Sequence, residues 1–264
     1  MDILGRIIER KRRENRRRRR HVQFRAKRAG TTEPIRLPRP GGVAAVRALR
    51  RPAGQPLRVI SEIKLRSPSA GVIRGRRKGI VAEVASAYER SGASAISVLC
   101  DGPGFGGSPL DLRRAAQSVR TPLLFKEFVL ESEQLRLADQ MGASLVLLLV
   151  NALSQTELDA LVAEAHLLGL APVVEAANAT ELERALSTGA EIVGVNARDL
   201  RTFKVDPARA QSLVARIPSD RVAVHMSGIK TRDDMARVAG SRADAVLIGE
   251  TLMRATDPGA ELAR

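Results

Sequence analysis

The chain has 264 residues, 44% of them hydrophobic and 28% charged, with a formal net charge of +15, the size of one large globular domain or two small ones. Its longest wholly apolar run, Leu145 to Val150, is far too short to cross a bilayer. One cysteine (Cys100) excludes an internal disulfide framework, three distant histidines (His21, His166, His225) argue against a metal site, and the lack of Trp leaves little aromatic surface for stacking single-stranded nucleic acid.

The charge is concentrated at the start of the chain. Residues 1–51 hold 18 Lys/Arg against 4 Asp/Glu, whereas the rest hold 26 against 25. Ile3, Leu4, Ile7 and Ile8 are spaced as one face of a helix, and the stretch from Arg10 through the Arg16–Arg20 run continues it. That run reads most simply as a solvated helix face; its alternatives are adhesion to a polyanion such as nucleic acid, a partner surface, or a basic presequence. No apolar segment follows the first charges as in a secretory signal, so the expected location is cytoplasmic. Thr31 to Gly42, with three prolines and two glycines, reads as a linker, and a short helix over Val43–Arg50 precedes the body. The reading is therefore a basic helical extension and linker at 1–56 and one catalytic domain at 57–264.

From Leu57 onward, short apolar runs alternate with amphipathic stretches. The runs are Arg58–Lys64, Ala95–Leu99, Pro122–Lys126, Leu145–Val150, Ala171–Glu175, Ile192–Asn196, Arg221–His225 and Ala245–Ile248. Between them lie helical patterns at Ile80–Arg90, Ser132–Gln140, Gln155–Leu167, Ala179–Leu186, Pro207–Arg216 and Arg232–Val238, with a last one after Glu250. Gly92, Gly142 and Gly189 each precede an alanine ahead of a strand and suit the left-handed position that ends a helix. Continuously apolar strands indicate a sheet buried on both faces, hence parallel. Eight of them with helical crossovers favour an α/β fold closed as a (β/α)8 barrel; an open doubly wound sheet is the rival, weakened by the lack of a G-x-G-x-x-G after the first strand.

In such a barrel the chemistry lies at the C-terminal ends of the strands. The first run ends in Glu62-Ile63-Lys64, the third in Lys126-Glu127, the fifth in Glu175, and the sixth in Asn196 with Arg198 just beyond. Period-two alternation places Glu62 and Lys64 on one face, so an inward orientation brings Glu62, Lys64, Lys126 and Glu175 to one mouth. Charges that follow interior runs need partners and a purpose, and this set suits acid–base chemistry on a small polar substrate. Ser227-Gly228 after the seventh run and Gly249-Glu250-Thr251 after the eighth sit where such barrels hold phosphate on backbone N–H groups.

These residues resemble a known family. Glu62-Ile63-Lys64-Leu65-Arg66-Ser67-Pro68-Ser69 is similar to the first-strand motif of indole-3-glycerol phosphate synthases. So are Phe105-Gly106-Gly107-Ser108, Lys126-Glu127-Phe128, Val174-Glu175, Asn196-Ala197-Arg198-Asp199, Ser227-Gly228-Ile229 and Gly249-Glu250-Thr251-Leu252-Met253-Arg254, in the family's order. The resemblance implies a phosphate-binding TIM barrel with an N-terminal extension, working without metal or organic cofactor. Its substrate would be 1-(2-carboxyphenylamino)-1-deoxyribulose 5-phosphate, closed to an indole with loss of CO₂ and water. By the same resemblance Lys126 is the general acid and Glu175 the general base. Lys64 pairs with the substrate carboxylate and supplies a second acid, Glu62 orients the lysines and sugar hydroxyls, and Asn196 positions the substrate. Arg198 holds the anthranilate carboxylate, Phe105 and Phe128 wall the ring, and Ser67 and Ser227 contact substrate. Gly228, Gly249 and Glu250 hold the phosphate, mainly through backbone.

One departure stands out. The family reads Glu-Ser-Gly after the seventh strand, and here the acid is replaced by Met226. The loss removes an inward carboxylate that would hydrogen-bond the substrate and offset the lysines, which implies lower turnover or a redirected paralogue acting on another sugar phosphate. Glu127 in place of Asp and Ala197 in place of Asn are expected to be tolerated. Cys100 reads as core, His225 as a hydrogen-bonded supporting group, and His166 as surface or packing. A nucleic-acid-binding role for the basic arm is the alternative from another class. The oligomeric state is not legible in the sequence.

Overall fold

The computed structural model describes residues 3–26, 39–199, 202 and 204–264, with side chains of 18–26 left aside. Eight parallel strands close into a barrel: β1 (Arg58–Ile63), β2 (Ala95–Leu99), β3 (Leu123–Lys126), β4 (Leu145–Leu149), β5 (Ala171–Ala176), β6 (Ile192–Asn196), β7 (Val222–Met226) and β8 (Ala245–Ile248). Each pairs with the next, and β8 returns to β1 through Arg58↔Ala245 and Ser61↔Ile248. The (β/α)8 barrel read from the apolar runs is therefore the fold, and every run lies on its strand to within a residue or two.

The strands are apolar throughout because both faces are covered. Inward side chains fill the barrel and outward ones meet helices. In α7 (Gln155–Leu167), Leu158, Leu161, Val162 and Ala165 recur at helical spacing and are all buried. A capping box starts that helix, Ser154 accepting from the Glu157 N–H while the Glu157 carboxylate accepts from the Ser154 N–H. The other crossovers are α3 (Ile80–Arg90), α6 (Ser132–Met141), α8 (Ala179–Leu186), α9 (Pro207–Val214) and α10 (Arg232–Ala239), with α11 (Glu250–Arg254) and α12 (Pro258–Ala263) after β8. Between β2 and β3 the chain forms α4 (Gly102–Phe105) and α5 (Pro109–Ala116), neither of which the sequence pattern had delineated. A small antiparallel hairpin, Arg66–Ser67 with Gly71–Val72, rises from the loop after β1.

Two of the three glycine signals hold. Gly92 and Gly142 have φ of 86° and 92°. Gly189 is not left-handed, because α8 ends at Leu186 with its cap at Ser187, leaving Gly189 in the following loop. The missed member of the set is Gly169, at φ 71°.

The N-terminal segment touches both ends of the barrel. Helix α1 (Ile3–Ala26) lies over the strand C-termini, with Leu4 and Ile7 buried. Helix α2 (Gly42–Leu49) seats Ala45, Val46 and Leu49 against the opposite end, where the Gly42 N–H donates to Gly169 O at 2.8 Å. Most of the predicted linker, residues 31–38, lies outside the described residues. Among the described residues, no helix is long and apolar enough to cross a membrane.

Candidate active site at the barrel mouth

The strand C-termini surround a cavity of about 470 Å³, within the usual size for a small-molecule site of roughly 300–1,000 Å³. Parallel pairing sets the order of groups around it, with Glu62 beside Ser97, Leu99 beside Lys126, Leu149 beside Glu175, and Asn196 beside Met226. Leu147, Leu149, Met226 and Leu247 form an apolar floor.

Above this floor stand two Lys–Glu pairs. Lys126 Nζ lies 3.0 Å from Glu175 Oε2, and the other oxygen, Oε1, accepts from Asn196 Nδ2 at 2.8 Å. Asn196 Oδ1 in turn accepts from the Arg198 N–H at 2.9 Å, so one chain of hydrogen bonds runs from the ammonium to the loop after β6. The second pair is Lys64 Nζ with Glu62 Oε1 at 3.0 Å, and Ser97 Oγ donates to Glu62 Oε2 at 3.3 Å. Both carboxylates are only 4% exposed, while the lysines reach further into the cavity. Each buried charge thus has a partner, as burial requires.

The walls are distinct. Phe105 at the end of α4 and Phe128 after β3 face each other on one side, ring centroids 6.2 Å apart. On another side the chain turns through Ser227 and Gly228, which have consecutive left-handed φ values of 67° and 83°. For a serine this is uncommon backbone, and a concave turn of successive N–H groups is a known anion receptor. Gly249 precedes α11, and a Cβ there would lie 2.6 Å from Glu62 Oε1 and 3.0 Å from Glu62 Cβ, so any side chain would displace Glu62. Ser67, in the loop after β1 and so next to the Gly249 turn, also lines the cavity, its Oγ accepting from the Ala70 N–H.

The structure brings all the candidate residues to this one cavity: Glu62, Lys64, Ser67, Phe105, Lys126, Phe128, Glu175, Asn196, Arg198, Ser227, Gly228, Gly249 and Glu250. The sequence reading assigned no role to Lys230 or Arg254, which also line it. The two cations stand in or beside the phosphate motifs already singled out, so the signal was present.

The residues read as bystanders lie apart from the cavity. Cys100 is buried, its thiol pushed well above the usual range by burial and the nearby Glu127. His225 faces away from the floor and is buried, which lowers its pKa against a backbone hydrogen bond at Ser227. Its Nε2 finds no partner among the described residues, so the expected hydrogen-bonded role is met at most on one side of the ring. His166 is exposed on α7. Among the described residues no group of His, Cys, Asp and Glu is arranged to hold a metal ion.

A family model described as indole-3-glycerol phosphate synthase matches residues 4–264, essentially the whole chain. The chain belongs to the indole-3-glycerol phosphate synthase family. Relatives bearing that name include one from Opitutus terrae, 45% identical over 221 residues that cover 82% of each chain. One from Polaromonas sp. is 42% identical, covering 84% of this chain and 83% of the other, and one from Nocardioides sp. is 46% identical over 76% of each. Among solved structures, the N-acetylmannosamine-6-phosphate 2-epimerase of Clostridium perfringens superposes with a TM-score of 0.57 over 74% of this chain and 86% of that one. At 13% identity that likeness concerns the barrel alone.

Proposed function

We propose that the two Lys–Glu pairs at the barrel mouth are the acid–base machinery of indole ring closure. The chain is a carboxy-lyase of tryptophan biosynthesis, as its family membership establishes. Its substrate is a small phosphorylated compound, which we assign as 1-(2-carboxyphenylamino)-1-deoxyribulose 5-phosphate. The reaction forms one carbon–carbon bond and releases CO₂ and water.

In this reading the phosphate rests on the Ser227-Gly228 turn and the start of α11 at Gly249-Glu250. The anthranilate ring lies against the wall formed by Phe105 and Phe128, with its carboxylate toward Arg198 and Lys64. Lys126 then faces the ketose carbonyl. As the ring carbon bearing the carboxylate attacks C2, the carbonyl oxygen takes a proton from the Lys126 ammonium. Departure of CO₂ returns its bonding electrons to the ring. The new hydroxyl leaves as water, protonated by Lys64, while Glu175 removes the proton that allows the indole double bond to form. Asn196 fixes Glu175 by their hydrogen bond, and Glu62 fixes Lys64 in the same way. The apolar floor excludes water, which strengthens each of these charge interactions.

The observation that carries this assignment is the Lys126–Glu175–Asn196 chain, an ammonium and a carboxylate 3.0 Å apart over a single cavity, which supports their reading as acid and base. We further assign residues 57–264 as the catalytic domain, residues 1–56 as the extension, and the cytoplasm as the location. The test is turnover of the carboxyphenylamino substrate by the purified chain, followed by indole fluorescence against a protein that contains no Trp. Steady turnover is expected, falling by about 10²–10⁴-fold in Lys126→Ala. Absence of turnover by the unmodified chain would remove the assignment in favour of a different sugar phosphate.

A further inference from the structure

Lys11 falls in the charged continuation of the N-terminal helix, to which the sequence reading gave no role, and its side chain is only 6% exposed. Its Nζ lies 3.0 Å from Asp101 Oδ1, 3.1 Å from Glu127 Oε2 and 2.8 Å from Glu14 Oε2. Burial alone would lower the affinity of this ammonium for its proton, but the surrounding carboxylates outweigh it, so the group is held charged. Glu127 is itself pushed above the usual carboxylate range by burial, against the pull of Lys11.

The two carboxylates facing Lys11 from the barrel each govern a wall of the cavity. Asp101 follows β2 and caps α4, its Oδ2 accepting from the Gly104 N–H at 2.8 Å, and α4 ends in Phe105. Glu127 follows Lys126 directly, and its Oε1 accepts from the Phe128 N–H at 2.8 Å. One ammonium from α1 therefore spans the loop that carries Phe105 and the strand end that carries Lys126 and Phe128. A turn further along α1, Asn15 makes a second tie. Its Nδ2 donates to Gln134 Oε1 at 2.8 Å, and Gln134 Nε2 donates to Phe128 O at 2.8 Å. Surface ion pairs contribute little to stability, but a pair removed from water on both sides is costly to break.

We infer that Lys11 and Asn15 are positioning residues for ring closure: Lys11 sets the spacing of Lys126 against the Phe105 wall, and Asn15 sets the Phe128 wall. Neither touches the cavity, and both act through a residue that does. The inference rests on the acid and wall roles assigned above to Lys126, Phe105 and Phe128. It makes α1 a working part of the site, since the basic helix contributes Lys11 and Asn15, with Arg10 beside them on Asp101 Oδ1 at 2.7 Å, and the barrel supplies none of these for itself.

The experiment measures kinetics and thermal midpoints of the full-length chain carrying Lys11→Met, Lys11→Arg, Lys11→Met with Glu127→Gln, or Asn15→Ala. Misplacement of a reacting group on the ångström scale costs about 10²-fold, so Lys11→Met should lower kcat about 10- to 100-fold with a much smaller change in KM. Lys11→Arg should recover part of that loss. Pairing Lys11→Met with Glu127→Gln removes the stranded charge, so the midpoint should return while kcat stays low. Asn15→Ala should raise KM more than it lowers kcat. If kcat in Lys11→Met matches the unmodified chain, or kcat and midpoint recover together in the double variant, the contact serves stability alone and the inference is overturned. A failure of the unmodified chain to turn over would sink the assigned reaction instead. Amide exchange then decides the positioning. In Lys11→Met the Gly104 and Phe128 amides should lose protection while those of α7 keep theirs, and unchanged protection at both sites overturns the inference.

Discussion

The sequence reading expects a glutamate where Met226 stands, and the fold shows how the methionine is accommodated. Its thioether lies over Gly194 of β6, where a Cβ would come within 2.6 Å of the sulfur. A carboxylate at this position would point into the cavity that already holds Lys64 and Lys126. A hydrogen bond to a charged group contributes about 1.5–3 kcal/mol, so Met226→Glu should raise kcat/KM by about tenfold or more. Indole fluorescence measures it, and an unchanged or lower value would show that the acid is not what limits this site. His225, the neighbour that faces away, governs a different property. Burial depresses its pKa, so the unfolded chain takes up a proton first as the pH falls. Its contribution to stability is complete above the ordinary histidine value of about 6.5 and is lost below it. Urea midpoints at pH 7.5 and 5.5 should differ more for the natural chain than for His225→Gln, and an equal difference would exclude the histidine as the cause. The charged strand ends were legible because Lys and Glu rarely follow interior runs without cause. Lys11 was not, because a lysine among arginines looks solvated. Yet Leu4, Ile7, Lys11 and Asn15 continue one helical face, and all four are buried.

At the level of elements, the barrel strands were readable because they are uniformly apolar, and the ends differ from the sequence reading only where fraying is ordinary. The stretch between β2 and β3 was not, since Gly102-Pro103-Gly104 reads as a turn while Asp101 caps it into α4. Its companion α5 did carry a start signal, Ser108 followed by Pro109, with the serine accepting from the Leu110 N–H. Helix α2 shows how an element is fixed by one contact. A Cβ on Gly42 would come within 2.6 Å of Ala171 N and 2.7 Å of Leu170 C, both backbone atoms that cannot step aside. Gly42→Ala should therefore lift α2 from the end of the barrel and cost about 1–3 kcal/mol, the usual cost of overpacking. Urea unfolding tests this, and an unchanged midpoint would mean that α2 reseats without loss. Because α2 lies at the end of the barrel away from the cavity, KM should remain near that of the natural chain.

Across the whole molecule the decisive contact is β1 with β8, the pairing that turns an open sheet into a barrel. A chain ending at Asp244 lacks β8 and leaves β1 and β7 with free edges. It should show no cooperative unfolding transition by circular dichroism, and a sharp transition would mean that seven strands suffice. The same pairing sets a condition on how the protein is made. β1 leaves the ribosome well ahead of β8, so at about 5–20 residues per second one side of β1 waits roughly 10–40 s for its neighbour. An unpaired strand is an invitation to neighbouring nascent chains, and charge is the common defence. β1 and its flank carry Arg58, Glu62 and Lys64, charges of the kind that discourage a waiting strand from pairing with another copy.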